Sequence, residues 1–350
     1  MSEPLVSVIL AVRNEAAYIT RCLDAVLAQD WPAERMEILV ADGESSDGTP
    51  DIIRALPGSE RIQLLANPGR IQASGLNTAI ARARGDIIVR VDGHTIIAPE
   101  YVRCCVAALA ETGAVCVGGR IEPVGMTPAG VVIAAAARTA FAVPGAFHVS
   151  AAARFTDTVY MGAWPRAVLV ATGGYDERLR ANEDYELAYR IRQAGGRIYL
   201  SPSIRSTYFG RQSLGALARQ YFFYGIGKAQ VLLTHPRSLR VRQLVAPLFV
   251  AVVTVGLMCW YPLPITRVIW LGTLLAYIAL NLGFSAFVAL RDRPPAFWLA
   301  PLAYLVIHLC WGAGFWAGLL RPRLPVRSHE RDRRQLMSRP DTARHTARSA

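Results

Sequence analysis

The chain has 350 residues, enough for one large domain or two smaller ones with a full hydrophobic core. It is basic, with a formal net charge of +12, and 53% of its residues are hydrophobic. Its six cysteines include no C-x-x-C pair and no grouping with histidine, which excludes a zinc site or a redox dithiol and predicts reduced, structural thiols.

The first 240 residues alternate between short apolar runs and helical patterns. Four runs have the composition of strands buried on both faces: 6–12, 36–42, 86–92 and 114–120. Three segments show helical spacing of apolar residues, 71–84, 100–111 and 182–196, and the segment 14–29 shows near-helical spacing. Gly85 is predicted to end the helix over 71–84 as its C-terminal cap. Repeated βα units predict an α/β fold, a Rossmann-like, mainly parallel sheet flanked by helices.

Polar side chains follow three of the predicted strands: Asn14 and Glu15 after the first, Asp42 and Asp47 after the second, Asp92 and His94 after the third. Ligands bind beyond the carboxyl ends of strands in such sheets, so we expect these residues to share one site. Either Asp47 or Thr49 could instead cap the helix that begins near Pro50, whereas Asp42 lies too far upstream for that role.

Asp92 and His94 offer a carboxylate oxygen and an imidazole nitrogen across Gly93. Two protein ligands with open positions suit Mg²⁺ or Mn²⁺ that is otherwise held by substrate phosphates. The alternative is that Asp92 only caps a turn. The N-terminal residues lack a cationic start and a small-residue cleavage site, so we expect no signal peptide.

Charged residues almost disappear after Arg242. Three intervals contain none: 243–266, 268–290 and 294–320. Each is long enough for the roughly 20 apolar residues that a membrane-spanning helix needs. Three spans are therefore predicted rather than buried core helices. The prolines of the first interval leave open that it is re-entrant.

The flanks of this region are basic. Residues 213–235 combine aromatic side chains with Arg219 and Lys228, which predicts an interfacial amphipathic helix, an ordinary surface helix being the alternative. Residues 321–350 hold nine arginines against three acidic residues and are predicted to lie on anionic lipid headgroups rather than on nucleic acid. The chain is accordingly divided into three parts: a cytosolic catalytic domain (1–235), a membrane region (236–320) and a basic tail (321–350).

Taken together, the motifs resemble the family 2 glycosyltransferases of the GT-A fold. The resemblance covers about residues 5–225 and rests on five stretches in order: SVILAVRNE, VADGESSDGT, NPGRIQASGLNTAIARARGDIIVRVDGHT, MGAWPRAVLVATGGYDE and NEDYELAYRIRQAGG. The pattern is similar to bacterial exopolysaccharide glucosyltransferases of the succinoglycan type. The resemblance implies a multi-pass protein of the bacterial inner membrane with a cytoplasmic catalytic domain.

The resemblance also implies a UDP-sugar donor, a divalent cation (Mn²⁺ or Mg²⁺) and a polyprenyl-diphosphate-linked saccharide acceptor. It implies that Asp42 contacts uracil and that Asn14, Glu15 and Asp47 contact the nucleotide. It further implies that Asp92 lies near the ribose and the metal, that His94 is a metal ligand, and that Asp184 is the catalytic base. The alternative for Asp184 is compensation of a helix dipole. Arg166 and His148 are weaker candidates for the acceptor side, equally explained as structural residues.

Two departures from the family pattern matter. His94 stands where an acidic residue is usual, which leaves the metal preference open, and Ala41 replaces the first carboxylate of a common Asp pair. The segment RQYFFYGIGK (219–228) lacks the Q-x-x-R-W pattern of processive synthases, so transfer of a single sugar is expected.

Two other classes of function remain. A nucleotidyltransferase or a dinucleotide-dependent enzyme would need a glycine-rich loop after the first strand, and AVRNEAAY contains no glycine. A non-enzymatic membrane scaffold would not need carboxylates after successive strands.

Overall fold

The computed structural model describes residues 3–142, 152–258 and 264–320. The first two strands, β1 (Val6–Val12) and β2 (Met36–Asp42), occupy the predicted residues. They pair in parallel, with Val6 opposite Met36 and Val12 opposite Asp42. Both are mainly apolar because both faces of the sheet are covered.

The nine strands of the described residues form one sheet. In spatial order these are β3 (Ile62–Ala66), β2, β1, β4 (Ile87–Arg90), β8 (Tyr160–Pro165), β6 (Cys116–Val124), β9 (Ile198–Phe209) and β5 (Thr95–Ile97), with β7 (Arg154–Thr156) also on β9. The first four are parallel, as predicted, whereas β8 runs antiparallel to both β4 and β6. The predicted α/β fold is confirmed, with a second half that is mixed.

Helices cover both faces of this sheet. They are α1 (Ile19–Leu27), α2 (Thr49–Ala55), α3 (Gln72–Arg82), α4 (Tyr101–Thr112), α5 (Pro128–Ala137), α6 (Arg166–Thr172) and α7 (Glu183–Gln193). Val8 and Leu10 of β1 face a core with α1 and α4, whereas Ile9 faces a core with α3 and α7. The alternation of side chains along one strand therefore places a helical layer on each side.

The predicted cap at Gly85 is wrong. Helix α3 ends at Arg82, and Ala83 already has an extended backbone. Gly85 instead packs against β1, where its N–H donates to Ser7 Oγ at 2.8 Å and a Cβ would collide with the Ser7 backbone. This glycine is explained by tertiary packing rather than by helix termination.

Four helices complete the described chain: α8 (Leu214–Thr234), α9 (Val245–Met258), α10 (Pro264–Asp292) and α11 (Ala300–Leu320). Within the described ranges, three segments are long and apolar enough to cross a membrane: Val241–Met258, Ile265–Asp292 and Phe297–Leu320. Large apolar side chains are exposed on all three, as expected of surfaces that face lipid. The basic tail (321–350) and His148 lie outside the described residues.

Helix α8 packs along α11 rather than lying free on the surface. Glycines allow the close contact: a Cβ on Gly225 would collide with the backbone at Trp311, and one on Gly314 with the backbone of Phe222. Apolar side chains of α5, including Ile133, are buried against α8, α10 and α11 in the same cluster. Helix α8, which connects the sheet to the apolar helices, therefore shares one hydrophobic core with α5, α10 and α11.

Candidate active site

The carboxyl ends of β1, β3 and β4 open onto one cleft of about 190 Å³. Glu15, Asp92 and His94 line it, as predicted from their positions after strands. Asn14, Asp42, Asp47 and Asp184 lie outside its lining. The cleft thus brings three of the predicted residues together directly.

Glu15 and His94 form a pair within the cleft. Glu15 Oε1 is 2.8 Å from His94 Nδ1, and both side chains are largely buried. The loops approach this closely because Gly93 has no side chain: a Cβ there would lie 3.0 Å from Val12 Cγ1 and 3.1 Å from Glu15 Cγ. With Nδ1–H donating to the carboxylate, Nε2 keeps its lone pair, and it has no hydrogen-bond partner among the described residues.

Asp92 is buried and held by Arg90, a residue that the sequence analysis missed. Arg90 Nε lies 2.8 Å from Asp92 Oδ1, and Gln72 Nε2 donates to the same oxygen at 3.1 Å. Burial by itself would raise the pKa of Asp92, but the charge and hydrogen bond of Arg90 outweigh it and lower that pKa. Asp92 is therefore an anion in the cleft. The signal was present in the sequence, since arginine is rare in a strand covered on both faces.

Arg90 also reaches the predicted base region. Its Nη2 lies 3.5 Å from Glu183 Oε1, in the first turn of α7. Burial raises the pKa of Glu183, and repulsion from Asp184 adds to the effect. Burial likewise raises the pKa of Asp184, while the positive charge of Arg90 opposes it. A helix dipole would by itself lower these pKa values, so burial has the larger effect here, and dipole compensation stays the alternative role of Asp184.

A contact with α8 fixes the residue that precedes α7. Asn182 has a left-handed backbone (φ 62°) and donates from Nδ2 to the Tyr224 carbonyl at 2.8 Å. Asp184 Oδ1 accepts the N–H of Tyr185 at 2.7 Å, which sets the direction of its carboxylate. The predicted base is thus partly buried and held in one orientation.

Asn14 and Asp42 join the loops that follow β1 and β2. Asp42 Oδ2 accepts the Ser45 N–H at 3.0 Å, and Ser45 Oγ accepts the Asn14 N–H at 2.8 Å. Asn14 Oδ1 in turn accepts the Ser46 N–H at 2.9 Å. These contacts build the rim beside the cleft, and the predicted contacts of Asn14 and Asp42 with a nucleotide stay predictions.

Asp47 is occupied by its own loop. Its Oδ2 accepts the Ala16 N–H at 3.0 Å, and its Oδ1 accepts the Thr49 hydroxyl at 2.6 Å. The N-cap position of α2 is Gly48, with φ 87°, so neither Asp47 nor Thr49 is the cap residue, but Asp47 Oδ1 also accepts the N–H of Thr49, the first residue of the helix, at 3.1 Å. Contact of Asp47 with a nucleotide stays a prediction that requires these bonds to rearrange.

Arg166 lies at the opposite end of β4 from Asp92. Its N–H donates to the Asp86 carbonyl at 2.8 Å, just before β4 begins. Its Nε is buried with no hydrogen-bond partner in the described part of the chain. This location favours the structural explanation of Arg166 over a place beside the acceptor.

The donor atoms fit a metal ion that is shared with a substrate. No group of three or more His, Cys, Asp or Glu side chains able to hold a metal occurs within the described residues. Asp92 supplies a carboxylate and His94 an imidazole whose other nitrogen is oriented by Glu15. Mg²⁺ and Mn²⁺ commonly take few protein ligands and complete their shell with water and substrate phosphates.

Three arginines line the same cleft: Arg13, in the turn after β1, and Arg70 and Arg211, which the sequence analysis missed. Arg70 pairs with Glu44, and Arg13 Nη1 donates to the Arg70 carbonyl at 3.4 Å. Arg211 follows β9, is exposed, and has no carboxylate partner among the residues the structure describes. Such a positive lining suits a diphosphate.

Comparison with known proteins agrees with this geometry. The Glycosyl transferase family 2 profile matches residues 7–133. Succinoglycan biosynthesis protein ExoA of Rhizobium meliloti (strain 1021) is 32% identical over 319 residues, covering 89% of this chain and 94% of that protein.

A dolichyl N-acetyl-alpha-D-glucosaminyl phosphate 3-beta-D-2,3-diacetamido-2,3-dideoxy-beta-D-glucuronosyltransferase of Methanococcus voltae is 26% identical over 236 residues, covering 65% of this chain and 74% of that one. Among solved structures, mannosyltransferase PcManGT from Pyrobaculum calidifontis, in complex with GDP-Man and Mn²⁺, superposes with a TM-score of 0.58. It is 20% identical and covers 89% of this chain and 87% of its own, which supports the GT-A fold. The chain therefore belongs to glycosyltransferase family 2 and is a glycosyltransferase related to exopolysaccharide and lipid-linked saccharide enzymes.

Proposed function

We propose that this chain is a membrane-bound, inverting glycosyltransferase of exopolysaccharide biosynthesis. It transfers one sugar per encounter, glucose by resemblance, from a UDP-sugar to a polyprenyl-diphosphate-linked saccharide. One observation carries the proposal: the cleft residue Asp92 is joined through Arg90 to Glu183, next to Asp184. This arrangement puts a site for an anionic donor beside a carboxylate of raised pKa.

The named relatives support the substrate classes. ExoA is named for succinoglycan biosynthesis, and the Methanococcus voltae enzyme is named for a dolichyl-phosphate-linked sugar. PcManGT was solved with GDP-Man and Mn²⁺. A nucleotide-sugar donor, a lipid-linked acceptor and a divalent cation are accordingly proposed here.

On the donor side, Asp92 and His94 would hold the cation, and Glu15 would fix the ring of His94. When bound, such a cation offsets the negative charge that grows on the departing diphosphate. The arginines of the cleft, Arg211 in particular, add positive charge at the same place. Because these groups are already oriented, they act without reorganisation during the reaction.

On the acceptor side, Asp184 would accept the proton of the attacking hydroxyl. The acceptor oxygen forms a bond to the anomeric carbon as the bond from that carbon to the diphosphate oxygen breaks, and UDP leaves with the bonding electrons. Attack from the face opposite the leaving group inverts the configuration, so an α-linked donor gives a β-linkage. A raised pKa makes Asp184 a stronger base than an ordinary aspartate.

The three apolar segments are proposed to span the membrane, with the sheet domain on the cytoplasmic side. Arginines flank these segments at 237–242 and at 291–293, which favours a cytoplasmic location of both flanks. UDP-sugars are made in that compartment, which agrees with the same orientation.

The full chain in lipid nanodiscs, incubated with radiolabelled UDP-sugars and a lipid extract from an exopolysaccharide producer, tests the proposal. We expect one labelled sugar to enter the lipid fraction, with UDP released in equal amount. Formation of diphosphate from UTP and a sugar phosphate would instead identify a nucleotidyltransferase. The absence of both transfer and UDP-sugar hydrolysis would identify a scaffold.

A further inference from the structure

A cluster of arginines, distant in sequence, converges on one carboxylate just before the first apolar segment. Asp157 Oδ1 lies 2.8 Å from Arg240 Nη2 and 3.5 Å from Arg192 Nη1, and Asp157 Oδ2 lies 3.9 Å from Arg242 Nη2. Arg240 and Arg242 are 48% and 45% exposed. We call these four residues the Asp157 cluster. Three guanidinium groups facing a single carboxylate leave an excess of positive charge and many free N–H donors.

A buried lysine lies behind the cluster. Lys228 of α8 is buried, with Nζ 3.7 Å from the centre of the Tyr185 ring and 3.5 Å from the Ser238 carbonyl. No carboxylate pairs with it among the described residues. Burial lowers the pKa of Lys228 to about 7, and the positive charges of the three cluster arginines act in the same direction. The region is therefore positive and short of anions.

The cluster lies at the expected level of lipid headgroups. Arg240 and Arg242 flank Val241, the first residue of the first apolar segment, and Val241 and Val245 are 85% and 61% exposed. Exposed valines beside arginines are typical of a chain that passes from the headgroup layer into hydrocarbon.

The cluster is also linked to the predicted base. Arg192 lies on α7, the helix whose first turn carries Asp184. At a rise of 1.5 Å per residue the two Cα atoms are about 12 Å apart along the axis. The cluster and the predicted base thus lie about two helical turns apart, a separation that the saccharide of a bound acceptor would have to span.

We propose that the Asp157 cluster binds the diphosphate of a lipid-linked acceptor, with Arg240 and Arg242 exchanging their contacts with Asp157 for phosphate oxygens. Guanidinium groups bind phosphate through paired, charge-assisted hydrogen bonds, and the exposed pair is open to such a ligand. The proposal rests on the proposed function, since it identifies where the acceptor of that reaction is held.

A matched control is available in the same loop. Arg237 is exposed and lies outside the cluster, before the same apolar segment. A general attraction to an anionic bilayer depends on the number of charges, so Arg237→Gln and Arg240→Gln would then have equal effects. A built diphosphate site is sensitive to Arg240 and Arg242 and insensitive to Arg237.

Binding is measured with the full chain in nanodiscs of neutral phosphatidylcholine and a fluorescent prenyl diphosphate as probe. We expect the Arg240→Gln/Arg242→Gln variant to bind the probe at least about tenfold more weakly, the loss of two charge-assisted contacts. The affinity of Arg237→Gln for the probe should stay within about twofold of that of the unaltered chain, which corresponds to about 0.4 kcal/mol of binding free energy. Asp157→Asn should bind more tightly, because it removes the competing carboxylate. Equal binding by the double variant, or an equal loss in Arg237→Gln, would overturn the proposal.

Two competitors separate the possible sources of phosphate. Inorganic diphosphate should displace the probe only at higher concentration than unlabelled prenyl diphosphate, and equal potency would mean that the site takes a free diphosphate. Phosphatidylglycerol added to the nanodiscs should displace little probe, and full displacement would mean a general headgroup site. Either result would contradict a site for a lipid-linked diphosphate.

Turnover gives an independent check. In the double variant the KM for the lipid acceptor should rise, while hydrolysis of the UDP-sugar by water keeps its rate and the melting temperature is unchanged. An unchanged acceptor KM would contradict the proposal. If the unaltered chain shows neither transfer nor hydrolysis, the proposed function fails, whereas the binding measurement still decides on the cluster.

Discussion

The guanidinium group of Arg90 lies between the carboxylates of Asp92 and Glu183. Its Nε is 2.8 Å from Asp92 Oδ1, and its Nη2 is 3.5 Å from Glu183 Oε1. Arg90 is only 3% exposed, and its Nη1 has no hydrogen-bond partner in the described residues. One buried cation therefore sets the charge of both the cleft and the first turn of α7.

Substitution of Arg90 tests this link. Arg90→Gln leaves two buried carboxylates without a counter-charge, which should cost about 3–5 kcal/mol of stability and lower the melting temperature. Since the charge of Arg90 opposes the effect of burial on Asp184, its loss should raise the pKa of Asp184 and move the acidic limb of kcat to higher pH. Arg90→Lys, which keeps the charge, should return the limb toward its original position. If the acidic limb of the kcat profile lies at the same pH in Arg90→Gln, in Arg90→Lys and in the unaltered chain, Arg90 does not influence the pKa of Asp184.

Asp184→Asn should reduce transfer by two orders of magnitude or more, about the contribution of a general base. UDP binding, measured by calorimetry, should be unchanged because Asp184 lies outside the cleft lining. Asp51→Asn is the matched control, since Asp51 occupies the first turn of α2 and is 85% exposed. If both variants kept normal turnover, Asp184 would serve only the helix dipole.

His94→Ala should raise the Mn²⁺ concentration needed for half-maximal turnover while the melting temperature stays close to that of the unaltered chain. Glu15→Gln should weaken the response to metal by about 10–100-fold, as expected for a group that orients a ligating imidazole. His94→Asp should retain turnover and shift the preference toward Mg²⁺, because a carboxylate is a harder ligand. Equal activity in a chelator and in Mn²⁺ would show that the cleft works without metal.

Glu186 should give the protein an acid-sensitive component of stability. Its Oε1 lies 2.7 Å from Arg190 Nε and 2.9 Å from His235 Nε2. Burial would raise the pKa of Glu186, but the bonds from His235 and Arg190 outweigh it and lower that pKa to about 2. The stabilisation is complete above the unfolded pKa of about 4.3, amounts to about 3 kcal/mol, and disappears as the pH falls toward 2.

The measurement for Glu186 is the melting temperature in detergent between pH 6 and pH 2.5. Glu186→Gln should be less stable at pH 6, and the difference from the unaltered chain should shrink as the pH decreases. A constant difference over this range would mean that the ionised form of Glu186 contributes nothing.

The sequence predicts the parts of the site that depend on local pattern. The predicted bounds of β1 and β2 match the structure because each is a mainly apolar run that ends at a polar turn. The meeting of Glu15, Asp92 and His94 followed from the rule that parallel strands end at one edge.

Other features depend on contacts between distant residues. Arg211 reaches the cleft from the far side of the sheet, and Arg192 meets Arg240 only through Asp157. Gly85 was predicted to cap a helix, but it packs closely against β1, and the neighbouring sequence does not indicate such a contact. Long-range pairings of this kind require the folded chain.

The glycine contacts between α8 and α11 bear on how the enzyme is prepared for experiments. Helix α8 contacts Asn182, two residues before Asp184, and packs against α11. A truncation after residue 235 would therefore remove the helix that supports α8 beside the proposed base. Such a fragment should precipitate or misplace Asp184, the proposed base, even though every motif of the sheet is retained. Solubilised full-length protein is therefore the appropriate material for crystallisation and kinetics.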